Sequence, residues 1–163
     1  MGQIVGHVLD KQSVIIVMPR RSGKTTLCIK LFKEELFRKK NVVLVVPFID
    51  ALNQTSMKVE FLKYRNEIQK RIITNISDLR AMNPEIIFVD DLALFPTNKF
   101  LELITYLKTS TFVSFTSLLE HGDGNASLKA VQNKLGQNNK VYYGPIWIGD
   151  KFCKSFDENG IVL

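Results

Sequence analysis

Apolar residues in this chain fall into short unbroken runs, separated by longer stretches with helical spacing. The first run is Val14 to Met18, apolar on both faces of an extended chain, which predicts a central strand in a parallel sheet. NVVLVVP, stopped by Pro47, is a second buried strand, Arg71 to Thr74 a short third, EIIFVDD at Glu85 to Asp91 a fourth, and Phe112 to Thr116 a fifth. Between them, Thr25 to Lys39 predicts a helix, with Leu27, Cys28, Leu31, Phe32 and Leu36 on one side. Lys30, Lys33, Arg38, Lys39 and Lys40 cover the rest, and Asn41 breaks it. Asp50 to Lys70 predicts a less regular helix, with Asp50 as cap and Met57, Phe61, Leu62 and Ile68 as a loose stripe. Ser77 to Met82 predicts a small helix before an Asn83-Pro84 turn. Thr97 to Leu107 predicts another, with Phe100, Leu103, Ile104 and Leu107 on its inner face. Farther on, Glu120 to Ala126 (EHGDGNA) reads as a loop, Ser127 to Leu135 as a helix, and Val141 to Tyr143 and Ile146 to Ile148 as late strands. The alternation predicts an α/β fold, a three-layer sandwich around a mostly parallel sheet, with residues 1–163 as one domain.

The turn after the first strand carries the most specific chemistry. SVIIVMPRRSGKTT places a Val/Ile-rich strand, then Pro19, Arg20, Arg21, Ser22 and Gly23, then Lys24, Thr25 and Thr26 at a helix start. That order is the strand, phosphate-binding loop and helix of a P-loop NTPase, the Walker A element. Gly23 lets backbone N–H groups close on phosphate oxygens, and the helix beginning near Lys24 turns its positive dipole end toward the same anions. Lys24 reaches β- and γ-phosphates, and the Thr25 hydroxyl ligates Mg²⁺. The loop departs from the full GxxxxGK[ST] pattern, because Met18 occupies the first glycine position.

EIIFVDD supplies the second element. A strand ending in Asp90 at this distance after a P-loop reads as Walker B, with Asp90 holding Mg²⁺. Asp91 then stands where many ATPases carry the glutamate that polarises the attacking water. Asp is one methylene shorter, so the water sits closer or turnover is slow. Ser114, Thr116 and Ser117 fall at the end of the next strand, where hydroxyls can sense a γ-phosphate or simply finish the strand.

Composition narrows the partners. The net charge is +6, from 22 basic and 16 acidic side chains, and the pI is about 9.3. This favours an anionic partner, nucleic acid or nucleotide ahead of a membrane surface. Lys58, Lys63, Arg65, Lys70 and Arg71 form the best basic patch. Cys28 and Cys153 are too few and too far apart for a disulfide framework or a zinc site, and His121 beside Glu120 has no second histidine near it. No apolar stretch reaches signal-peptide or membrane-spanning length, so the expected setting is a reducing compartment, not secreted.

With these elements in place, the pattern from Ser13 to Leu135 resembles the ATPase domain of viral large terminase subunits, the DNA-packaging motors of tailed phages and herpesviruses. VMPRRSGKTT resembles the herpesvirus-type loop, VVLVVPFIDAL the next strand and helix, IIFVDDLALF the Walker B segment, and TFVSFTSLLEHGDGNASL the coupling segment. The resemblance implies ATP and Mg²⁺ as cofactors, DNA as the favoured nucleic-acid partner, a homo-oligomeric assembly, and the cytoplasm or nucleus of an infected cell. It implies a γ-phosphate role for Arg20 or Arg21, with Lys24, Asp91 and Arg20 catalytic and Thr25 and Asp90 on the metal. Asp91 departs from the family's glutamate, and the family's nuclease domain has no counterpart in this sequence. A second resemblance is to small tetramer-forming thymidine kinases, although the paired CxxC motifs are missing and DDLALF replaces their base-binding segment. Other readings are one lobe of a helicase, and a nucleotide-binding module without turnover.

Overall fold

The computed structural model describes residues 13–18, 23–59, 65–116, 140–143, 146–148 and 151–153. Pro19 to Ser22, the loop at 120–126 and the expected helix at 127–135 lie outside the described residues.

The apolar runs become strands β1 (Val14–Val17), β2 (Val42–Val45), β3 (Ile72–Ile73), β4 (Ile86–Val89), β5 (Thr111–Thr116) and β6 (Lys140–Tyr143). They form one sheet in the order β3-β2-β4-β5-β1-β6, parallel at every pairing. Such a sheet needs cover on both faces, which is why β1, β2 and β4 are apolar throughout and wholly buried. Strands β7 (Ile146–Ile148) and β8 (Lys151–Cys153) pair antiparallel in a separate hairpin. The sequence predicts β7, whereas the stretch carrying β8 offers no motif.

Helix α1 (Lys24–Phe37) crosses from β1 to β2. Cys28, Ile29, Leu31 and Phe32 are its buried apolar residues, and Leu27 and Leu36 pack at the margin. Phe32 meets Phe88 of β4 edge to face, 5.8 Å between ring centres. The helix ends before Asn41: Lys39 takes a left-handed conformation at φ 60° and turns the chain. The expected helix from Asp50 to Lys70 is two helices, α2 (Ile49–Val59) and α3 (Arg65–Gln69), and Asp50 lies inside the first turn rather than capping it. Buried Ile68 anchors α3 on the same face as α1.

The other face carries α4 (Asp78–Met82), a 3₁₀ turn at Leu92–Leu94, α5 (Thr97–Ile104) and a second 3₁₀ turn at Thr105–Lys108. Leu79, Leu92, Phe95, Phe100, Leu103 and Ile104 pack there against Ile15, Val43, Ile87 and Phe112. The alternation of side chains along each strand thus feeds two separate apolar layers, one with α1 and one with α5, and the fold is the expected three-layer α/β sandwich.

Polar side chains close the strand ends. At the amino edge, Asn41 Nδ2 donates to the carbonyls of Met82 at 3.1 Å and Asn83 at 2.9 Å. Its backbone N–H donates to Glu85 Oε2 at 2.9 Å. Arg71 Nε donates to the Val42 carbonyl at 2.9 Å, and Arg71 Nη2 donates to Asn41 Oδ1. At the carboxyl edge, the β2–β3 ladder ends with Val46 N–H donating to the Ile73 carbonyl at 2.9 Å. Lys99 of α5 reaches over this end, its Nζ donating to the Pro47 carbonyl and the Thr74 carbonyl, both at 3.1 Å, and to Thr74 Oγ1 at 3.3 Å.

Candidate nucleotide-binding site

In parallel α/β sheets the carboxyl ends of the strands form the ligand crevice, and there the structure brings Lys24 and Thr25 together with Asp90 and Asp91. Gly23 precedes α1 with φ 83°, a left-handed conformation that side chains with a Cβ resist. Among the described residues a Cβ added at Gly23 would meet nothing within 4 Å, so it is the backbone conformation that calls for glycine. The Gly23 carbonyl accepts from Leu27 N–H at 2.9 Å. The amides of Lys24, Thr25 and Thr26 come before that first helical bond and are left for another acceptor.

Strand order sets the carboxylates opposite this helix start. β4 is separated from β1 by β5 alone, so Asp90, just past β4, faces the first turn of α1. Thr25 Oγ1 donates to Asp90 Oδ2 at 2.9 Å. Asp90 is 4% exposed, and its N–H donates to the Val45 carbonyl, which ties the end of β4 to β2. Lys24 Nζ lies 2.9 Å from Asp91 Oδ1. Asp91 has φ 52° and ψ 52°, a left-handed conformation that Asp adopts more readily than most residues. A hydroxyl and a carboxylate in contact at a helix start are hard oxygen donors of the kind Mg²⁺ takes together with substrate phosphates. They fit that ion.

The hydroxyl strand divides. Thr116 ends β5, and its carbonyl accepts from Met18 N–H at 2.9 Å, joining the ends of β1 and β5. Ser114 is fully buried, opposite Val89 and Ile15, and its Oγ has no hydrogen-bond partner among the described residues. By strand alternation it shares the face of Phe112, away from α1. It is therefore set inside the sheet, not at its tip. Ser117 lies outside the described residues.

Cys28, one turn beyond Lys24, is buried as expected. Its thiol is pushed well above the ordinary range, mainly by burial, with Asp90 and Asp91 adding to the shift and Lys24 opposing it. A protonated, enclosed thiol packs as an apolar group.

The basic patch is smaller than its sequence implied. Arg65 and Lys70 are exposed, but Arg71 is half-buried and spent on Asn41 and Val42, where burial lowers its pKa. The side chains of Lys58 and Lys63 lie outside the described residues, as do Pro19, Arg20, Arg21 and Ser22 of the loop. The sequence reading missed Lys99, because one lysine on the polar side of an amphipathic helix carries no signal of its own. Among the described residues no helix is long and apolar enough to cross a membrane, and no cluster of three metal-binding acidic, His or Cys side chains occurs.

Among solved structures, the chain is similar to the helicase domain of Hef from Pyrococcus furiosus, with 15% identity and a TM-score of 0.55 over 86% of this chain. It spans 37% of that protein's length. It is similar also to the flagellar accessory protein FlaH from Methanocaldococcus jannaschii, with 11% identity and a TM-score of 0.57, covering 90% of this chain and 78% of that one. A KaiC-like protein from Pyrococcus horikoshii gives 13% identity and a TM-score of 0.55, covering 91% and 79%. At these identities the likeness is one of fold. No curated protein matches the sequence significantly. Residues 4–140 match the family described as type III restriction enzyme, res subunit, a span that includes the loop before α1, the Asp90-Asp91 pair and all of β5. With that match over most of its length, laid on a sheet that sets Lys24 and Thr25 against two aspartates, the chain is a P-loop NTPase belonging to the type III restriction enzyme res subunit family.

Proposed function

We propose that the chain is a Mg²⁺-dependent ATP-hydrolysing module whose turnover is coupled to nucleic acid, with DNA the favoured partner. The observation that carries this reading is the paired contact at the sheet's carboxyl edge, Thr25 to Asp90 and Lys24 to Asp91. Lys24 and the amides from Gly23 to Thr26 bind and orient the β- and γ-phosphates. Thr25 and Asp90 would hold Mg²⁺, which when bound neutralises charge on the phosphate oxygens. Asp91 orients the attacking water and takes its proton. By the terminase resemblance, Arg20 would stabilise charge on the γ-phosphate as the phosphoryl group leaves, and Arg21 would serve DNA or a neighbouring copy. The matched family and the Hef helicase domain support coupling to nucleic acid. DNA packaging of the terminase kind is the finer form of the proposal, and it rests on VMPRRSGKTT and IIFVDDLALF.

The Lys24–Asp91 ion pair supports a second reading, a nucleotide-binding module that holds its carboxylate away from chemistry. Hydrolysis of MgATP with and without DNA separates the two, with Lys24→Ala as control. We expect turnover that rises with DNA and vanishes in Lys24→Ala. Unchanged ATP affinity in Lys24→Ala would sink both readings. Tight binding without turnover, lost in Lys24→Ala, would select the second.

A further inference from the structure

Lys99 sits in a place where nothing in ATP binding calls for a cation. Its ammonium has three protons and three acceptors: the carbonyls of Pro47 and Thr74, and Thr74 Oγ1. No carboxylate forms an ion pair with it among the described residues. The acceptors explain why it is there. Among the described residues no backbone N–H donates to the Pro47 or Thr74 carbonyl, so these two strand-end acceptors are met by the ammonium. A lysine that served only solubility would extend into water. This one folds back and holds the ends of two neighbouring strands with one group.

What those ends lead into gives the tie a use. Past Pro47 the chain presents Phe48 and Ile49, 42% and 65% exposed, on the same edge of the sheet as the nucleotide site. Past Thr74 it turns at Asn75, whose Oδ1 accepts from Ser77 N–H and Oγ. Along the chain, Lys99 follows Asp90 and Asp91 through a segment closed by short backbone hydrogen bonds. Leu94 N–H donates to the Asp91 carbonyl at 2.8 Å, Phe95 N–H to the Leu92 carbonyl at 3.3 Å, and Phe100 N–H to the Pro96 carbonyl at 2.9 Å. Leu92 and Phe95 are buried in the α5 layer and hold this segment against the sheet.

We propose that Lys99 is a positioning residue that couples the loops leaving β2 and β3 to the Asp90–Asp91 segment, and so carries engagement of nucleic acid at those loops to the hydrolytic site. The inference rests on the reading that nucleic acid stimulates ATP hydrolysis. Two sites linked through a shared set of hydrogen bonds are coupled in both directions, so nucleotide should equally change affinity for nucleic acid.

The test compares the full chain with Lys99→Met, which keeps the stem and loses the donors, and Lys99→Arg, which keeps donors. Hydrolysis is measured without DNA and across a DNA titration. Lys99→Met should keep its DNA-free rate within about twofold, and its stimulation by DNA should fall about fivefold or more. Lys99→Arg should recover part of the stimulation. Hydrogen exchange in the ligand-free protein should rise together in segments 46–52 and 73–77 of Lys99→Met. Undiminished stimulation in Lys99→Met overturns the proposal. Equal loss of DNA-free and DNA-stimulated rates also overturns it, because Lys99 would then be structural only. A wild-type protein indifferent to DNA overturns the nucleic-acid reading and the coupling role with it, while the exchange data still report whether the two loops are tied.

Discussion

Asp91 holds a left-handed backbone conformation and an ion pair with Lys24 at the same time. Both features bear on function, because Lys24 cannot serve a carboxylate and a polyphosphate with the same geometry. Phosphate carries more charge, so nucleotide is expected to draw Lys24 away and release Asp91. Asp91→Asn removes the competitor for Lys24 without removing a phosphate contact. We expect ATP affinity equal to or slightly tighter than wild type, and kcat lower by about a hundredfold or more. Equilibrium binding and single-turnover hydrolysis read the two separately. Wild-type turnover in Asp91→Asn would assign the water to another residue. At this scale the sequence was informative wherever a residue type is demanded by chemistry, as at Gly23, Lys24, Thr25, Asp90 and Asp91. It could not show that Lys24 and Asp91 touch, since adjacency across 67 positions is made by strand order.

Among the elements, the strands were read most closely, because a run of four apolar residues inside a parallel sheet has few other uses. Boundaries moved where tertiary contacts took over. Arg71, expected on a strand and a basic face, sits in the turn before β3 with its guanidinium turned inward. Asn41, expected only to break a helix, joins the starts of β2 and β4 and receives Arg71. Its replacement by Ala leaves the Met82 and Asn83 carbonyls and part of Arg71 without partners. That should cost about 1–3 kcal/mol of stability, read as a lower denaturation midpoint at unchanged m-value. A change below about 0.5 kcal/mol would show that water replaces the side chain without loss.

For the whole molecule, a net charge of +6 matters only if cations remain available on one surface. Arg65 and Lys70 remain exposed, while Arg71 does not. Binding to DNA should weaken linearly in log affinity against log salt, and replacing Arg65 and Lys70 together by Ala should flatten that slope by about one to two. Substituting Arg71 should instead lower stability. A slope unchanged in the Arg65/Lys70 variant would move the contact elsewhere on the surface. The same scale explains how the comparisons bear on the motif resemblance. A loop and an Asp pair recur across P-loop proteins, so they carry the family-level reading, and the matched family adds nothing specific to terminases.

The sequence by itself determined the α/β class, the parallel sheet, the phosphate loop and the carboxylate pair. Each is written in local terms: periodicity for strands and helices, and residue type for phosphate and metal chemistry. Tertiary structure alone decided which strand separates β1 from β4, and through it that Thr25 meets Asp90 and Lys24 meets Asp91. It also turned Arg71 inward, enclosed Ser114, and laid Lys99 across the ends of β2 and β3. Those outcomes depend on groups far apart in the chain satisfying one another's hydrogen bonds once strand order has brought them together, and no local pattern records such a meeting.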